Sequence, residues 1–132
     1  FASPDYLASA TAIDAPQALR HHACLQFTPL GKEAWVLHDG AANSVTVSLA
    51  RQTLINDVGL IMTMVSAGGG VALLPSYLCR QACDEGRLVP VLPEWHGKAD
   101  PIHIVYPRQR FMPPRLRAFV DLATLALRQW LE

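Results

Sequence analysis

The chain has no charge of either sign to spare: 11 basic and 11 acidic residues cancel within its 132. It therefore lacks the basic stripe with which proteins answer a phosphate backbone, and gripping DNA is not an expected property of this stretch. It lacks any uninterrupted apolar run of about 18 residues, which argues against a membrane-spanning helix. The N-terminus has no charged-then-apolar pattern of a signal peptide. Its start at Phe1 rather than Met, in what reads as the end of a strand, suggests an internal fragment. Cysteine is scarce as well. Cys24, Cys79 and Cys83 are odd in number and show no disulfide framework, and free thiols favour a reducing compartment, here the cytoplasm. Cys79 and Cys83 fall on one face of an expected helix. Structural zinc needs four ligands, and no CxxC or nearby histidine supplies the rest, so buried structural thiols are the plainer reading.

What is present is a core-forming composition, 51% hydrophobic, of a size for one domain or for one lobe plus the start of another. The richest stretch runs from Asn56 to Tyr77. Val58, Ile61, Met62 and Val65 recur at helical spacing over 57–67, Gly68 to Gly70 stop that helix, and Val71 to Leu74 return as a short buried strand before Pro75. Such αβ units build open α/β sheets, whose ligands sit beyond the carboxyl ends of the strands, here near Leu74 and Pro75. The glycines do not read as a phosphate loop, because that motif runs strand, glycine loop, helix, and the order here is reversed.

Elsewhere Ser3-Pro4 opens a short helix, and Asp14-Ala15-Pro16 is expected to cap another of about two turns ending near His21 and His22. Three strands are expected over Cys24 to Thr28, Trp35 to His38 and Ser44 to Leu49, with turns at Pro29-Leu30-Gly31 and Asp39-Gly40. A capped helix over Ser76 to Cys83 and strands over Leu88 to Leu92 and Ile102 to Tyr106 follow. The polar, turn-rich Pro93 to Pro101 is the one candidate boundary. After Pro113 and Pro114 comes the strongest helix, with Leu116, Phe119, Val120, Ala123, Leu127, Trp130 and Leu131 forming a stripe that calls for a partner surface.

No catalytic constellation emerges. His21, His22, His38, His96 and His103 match no ligand motif, Ser76 lies outside a G-x-S-x-G elbow, and Asp84-Glu85 is a turn signal. Arg108, Arg110, Arg115 and Arg117 read as a solvated helix entrance. No cofactor or metal site is expected.

Taken in order, SPDYLA, APQALRHHACLQF, the Trp35-Val36-Leu37 strand, VTVSLARQTLIND, SAGGGVALLPSYL, EGRLVPVLPEW and IHIVYPRQRFMPPRLRAFVDLATLAL closely resemble the C-terminal part of a LysR-type transcriptional regulator. The resemblance covers essentially the whole chain, although Gly69 replaces the larger apolar residue usual at the middle of its glycine turn. It implies an α/β fold: a Rossmann-like mixed-sheet lobe of a type 2 periplasmic-binding-protein fold, with part of the second lobe. Residues 1–2 would be the first crossover strand, 3–101 lobe II, and 102–132 the second crossover and a helix of lobe I. The winged helix-turn-helix and most of lobe I would be absent.

The implied function is sensing a small, often anionic effector held between two lobes. The implied partners are a second copy or three, through lobe I to lobe II contacts, with DNA met only by the missing N-terminal domain and no membrane involved. A periplasmic solute receptor of a transporter is the alternative, and an enzyme on the same scaffold stands third. Carried onto this sequence, the resemblance points to Phe27 and Thr28 at a strand exit, Asn56 and Asp57 at a helix entrance, and Gly70 and Val71 at the glycine turn. Each also has a plainer reading: Phe27 as core, Thr28 as a strand end, Asn56 as a helix cap.

Overall fold

The computed structural model describes residues 1–30, 34–99, 101–107 and 111–131. These fall into two units, Phe1–Ala99 and Asp100–Glu132. The first opens with α1 (Pro4–Ser9), where the Ser3 hydroxyl accepts from the Tyr6 amide at 3.2 Å and Pro4 takes a first-turn place that needs no N–H donor. The next segment is a 3-10 helix, Pro16–His21, rather than two α-helical turns, and Asp14 does not cap it. Pro16 occupies the first helical position, which makes Ala15 the cap residue and leaves Asp14 one place too early.

Two small sheets follow. β1 (Ala23–Phe27) lies between β4 (Arg51–Ile55) and β5 (Val71–Ala72), parallel to both. β2 (Ala34–Asp39) lies between β3 (Ser44–Ser48) and β6 (Trp95–His96), antiparallel to both. The β2–β3 turn is pinned by Asp39, whose Oδ1 accepts from the amides of Ala41 and Asn43, each at 2.9 Å, while Oδ2 accepts from the Asn43 side-chain amide at 2.8 Å. That side-chain amide, followed by the Asn43 backbone, lowers the Asp39 carboxyl below its usual value. α2 (Val58–Ser66) leads through the glycines into β5, and α3 (Ser76–Asp84) follows β5.

Strand alternation divides the core. Leu25 and Ala72 join Ile61 and Val65 of α2 and Cys79 and Ala82 of α3 on one face of the parallel sheet. Cys24 and Val71 face the other way, toward Leu19, Trp35, Leu37 and Val47. This is the two-sided cover that a parallel sheet requires. Gln26 is 1% exposed, and its side-chain carbonyl accepts from the Trp35 indole, joining the two sheets through the second core. A cavity of about 40 Å³ remains there, lined in part by Phe1, Trp35, Val71 and Trp95.

Several sequence expectations need correction. β4 was not anticipated, because Arg51, Gln52 and Thr53 are exposed on an edge strand and only Ile55 is buried, so no alternation is written into it. β6 falls inside the expected boundary segment. Leu88 to Leu92 forms only a bridge, Ala2 with Val89, because Pro90 has no amide to continue a ladder and Leu92 turns to φ 54°. Val71 to Leu74 shortens to two paired residues. Ile102 to Tyr106 forms no strand, having no ladder partner among the described residues.

In the second unit, α4 (Pro114–Leu131) begins where the paired prolines place it. Phe119, Leu122, Leu125 and Trp130 are more than half exposed. A groove of about 380 Å³ runs beside the helix, bounded by Ile102, Ile104, Tyr106, Val120, Leu127 and Leu131. Arg108 and Arg110 lie outside the described residues.

Candidate functional site

The carboxyl ends of the parallel strands are the position at which open α/β sheets take their ligands. Phe27 pairs with Ile55 at the last rung of the β1–β4 ladder, so Thr28 and Asn56 leave adjacent strands at the same edge. Thr28 is half-buried and opens a single 3-10 turn, Thr28–Leu30. Asn56 is exposed. Phe27 is half-buried and packs against the helix-side core. β5 continues from Ala72 through Leu73 and Leu74 to Pro75, which brings the start of α3 toward the same edge.

Gly70 and Val71 do not belong to that group. Val71 pairs with Cys24, three residues before Phe27, which places it about 10 Å back along the sheet at a strand rise of about 3.3 Å per residue. Both residues are buried, and Val71 faces the core shared with Trp35. Gly70 takes φ 139°, and a Cβ on it would overlap the Ala23 carbonyl oxygen. The glycine is therefore required by the close passage of the chain behind β1. Gly68, at φ 84°, ends α2 as its position suggests.

The helix entrances differ from expectation. The cap of α2 is Asp57 rather than Asn56: Asp57 Oδ1 accepts from the Leu60 amide at 2.7 Å. This places a carboxylate where an anion would otherwise receive the first amides of α2. At α3 the cap position is Pro75, which makes no side-chain hydrogen bond, and Ser76 is the first helical residue rather than the cap. The start of α3 is thus the more open of the two helix ends at this edge. The sequence pointed to a ligand near Leu74 and Pro75, beside this helix start, but read the helix as capped.

The buried thiols of Cys24 and Cys79 are poor nucleophiles. Burial pushes both Cys24 and Cys79 up to about 11, and the thiolate is the reactive form. Cys24 Sγ donates to the carbonyls of Leu19 and His22, at 3.5 and 3.6 Å, and Cys79 Sγ lies 3.9 Å from Met62 Sδ. Among the described residues, no helix is long and apolar enough to cross a membrane.

Residues 1–128 match the family described as the LysR substrate binding domain. The chain belongs to that family. It is 32% identical over 125 residues to an HTH-type transcriptional repressor of Pseudomonas aeruginosa, covering 92% of this chain and 39% of the relative. It is 32% identical over 120 residues to the HTH-type transcriptional regulator PtxR of the same species, covering 91% and 38%. Among solved structures, the regulatory domain of CrgA from Neisseria meningitidis matches with a TM-score of 0.67 and 28% identity over 96% of this chain and 62% of that one. The regulatory domain of AphB from Vibrio vulnificus has a TM-score of 0.76 at 24% identity, over 95% and 62%, a likeness of fold.

This LysR-family chain spans about two fifths of the length of the curated relatives it matches. Those relatives are transcriptional regulators, so the transport-receptor alternative is set aside.

Proposed function

We propose that this LysR-family chain is the effector-sensing segment of a bacterial transcriptional regulator, and that a small metabolite docks at the carboxyl edge formed by Thr28, Asn56 and the start of α3. The observation that carries the reading is the β1–β4 register, in which two bonded parallel strands end together at Phe27 and Ile55 so that Thr28 and Asn56 follow at one edge. Thr28 can donate or accept and Asn56 can do both at once. An anionic group of the ligand is directed to the start of α3, since Asp57 supplies negative charge at α2. Phe27 is the apolar wall. Gly70 and Val71 shape the sheet behind the site.

In this reading residues 1–2 are a crossover strand, 3–101 lobe II, and 102–132 the second crossover and a helix of lobe I. The facing lobe and the winged helix-turn-helix come from sequence outside the chain. The whole protein acts in the cytoplasm as a homodimer or homotetramer through lobe I to lobe II contacts, without catalysis. The ligand shifts the population between lobe arrangements, and the assembly passes that bias to the DNA-binding domains.

The test uses the full-length protein and a panel of small carboxylates screened by thermal shift. For a carboxylate that stabilises it, Thr28→Ala and Asn56→Ala should each weaken binding by about tenfold, as loss of one directed hydrogen bond implies. Unchanged affinity in both variants would place the ligand elsewhere.

A further inference from the structure

His38 and His96 stand 58 positions apart in the sequence, yet the antiparallel pairing of β2 with β6 sets them directly opposite each other. Their ring centroids are 6.1 Å apart and their planes 30° from parallel. His96 Nδ1 lies 2.9 Å from the Gly97 carbonyl oxygen. A carbonyl only accepts, so Nδ1 carries the proton and Nε2 keeps its lone pair. This is the arrangement in which a ligating histidine is oriented by a backbone carbonyl. The ring of His38 has no hydrogen bond among the described residues, His96 is exposed and His38 half-buried.

We propose that His38 and His96 form a two-imidazole binding site for a divalent transition-metal cation. With metal-to-nitrogen bonds of about 2.0–2.1 Å, two imidazoles on one tetrahedral ion have centroids about 5 Å apart. Closing the observed gap by about 1 Å is within the reach of side-chain rotation. Imidazole selects copper, nickel and zinc over magnesium and calcium, which prefer oxygen ligands. Among the described residues no group of three His, Cys, Asp or Glu side chains could hold a metal, so water completes the shell and the ion exchanges. The consequence for the fold is local. β6 is held to β2 by two residue pairs, and a bound ion clamps that short pairing just before the chain leaves the first unit.

The experiment titrates the chain with Cu²⁺ and reads the number of coordinated nitrogens by electron paramagnetic resonance. One ion with two nitrogen ligands is expected. His38→Asn and His96→Asn should each weaken Cu²⁺ binding by at least about tenfold, while His21→Asn and His103→Asn leave it unchanged. A two-nitrogen signal that persists in the double variant His38→Asn/His96→Asn would overturn the assignment. A second measurement needs no substitution: proton NMR of the parent chain with Zn²⁺ should shift the ring signals of His38 and His96 together and saturate at one equivalent. A shift of one ring without the other would equally refute the site.

Discussion

Replacing Gly70 with alanine separates the role the structure gives this residue from the one the family resemblance suggests. Its φ of 139° is a region that side chains rarely adopt, and the new Cβ would overlap the Ala23 carbonyl oxygen and sit 2.9 Å from its carbon. Backbone strain of this kind costs on the order of 1–3 kcal/mol. Relieving the overlap by displacement costs about 1–3 kcal/mol more. Displacement is not easily absorbed, because Ala23 opens β1 and pairs with Arg51, while the next two residues pair with Val71 and Ala72. The two costs together predict a loss of about 2–6 kcal/mol, from the upper end of ordinary substitutions upward. Gly40→Ala is the control, with nothing within 4 Å of its added methyl and an expected change within about 0.5 kcal/mol. Urea unfolding at constant m reads both. If Gly70→Ala lies within about 0.5 kcal/mol of the parent and instead abolishes ligand response, the glycine belongs to the binding site and the packing argument is refuted.

Trp35→Phe removes the indole donor from buried Gln26 and should destabilise by about 1–3 kcal/mol; in a double-mutant cycle with Gln26→Leu the two losses should not add. Asp57→Ala should lower stability by about 1 kcal/mol through loss of the α2 cap, with Asp57→Asn retaining most of it in urea melts. His22 predicts acid sensitivity. Tyr6 Oη accepts the Ala23 amide proton at 3.2 Å and so offers its own proton to His22 Nδ1 at 3.1 Å, leaving Nε2–H for Thr11 Oγ1 at 3.2 Å. Burial, and secondarily His21, lowers the His22 pKa below 6.5. The unfolded chain therefore takes up the proton first, and the stability from this network is full above pH 6.5 and lost as pH falls through the lower folded value. His22→Gln should flatten that slope in melts between pH 7 and 5.

The sequence was most legible where local chemistry decides structure. Ser3-Pro4, Asp39-Gly40, the apolar spacing of α2 and the proline-led α4 each carry their own start or stop signals. It was least legible where pairing decides. β4 is polar because it lies at an edge, and β6 exists only because Asp39 and His38 offer it a ladder. The same limit shaped the candidate site. Thr28 and Asn56 share an edge because β1 and β4 are in register, a pairing that periodicity could not show; the resemblance named the two residues without the strand that joins them. Gly70 was carried to the site by the family resemblance, whereas the β1–β5 register pairs its neighbour Val71 with Cys24, away from the edge where Thr28 leaves β1. The strand end near Leu74 and Pro75 was legible as a ligand position, but the open start of α3 was not, because its cap position falls on Pro75 rather than Ser76.

Hydrogen exchange of the full-length protein, with and without a carboxylate that raises its melting temperature, tests the central claim most directly. The account predicts new protection at the amides around Thr28, Asn56 and Ser76, with little change at Gly70 and Val71. Protection concentrated elsewhere in 1–99, with those three unaltered, would contradict it.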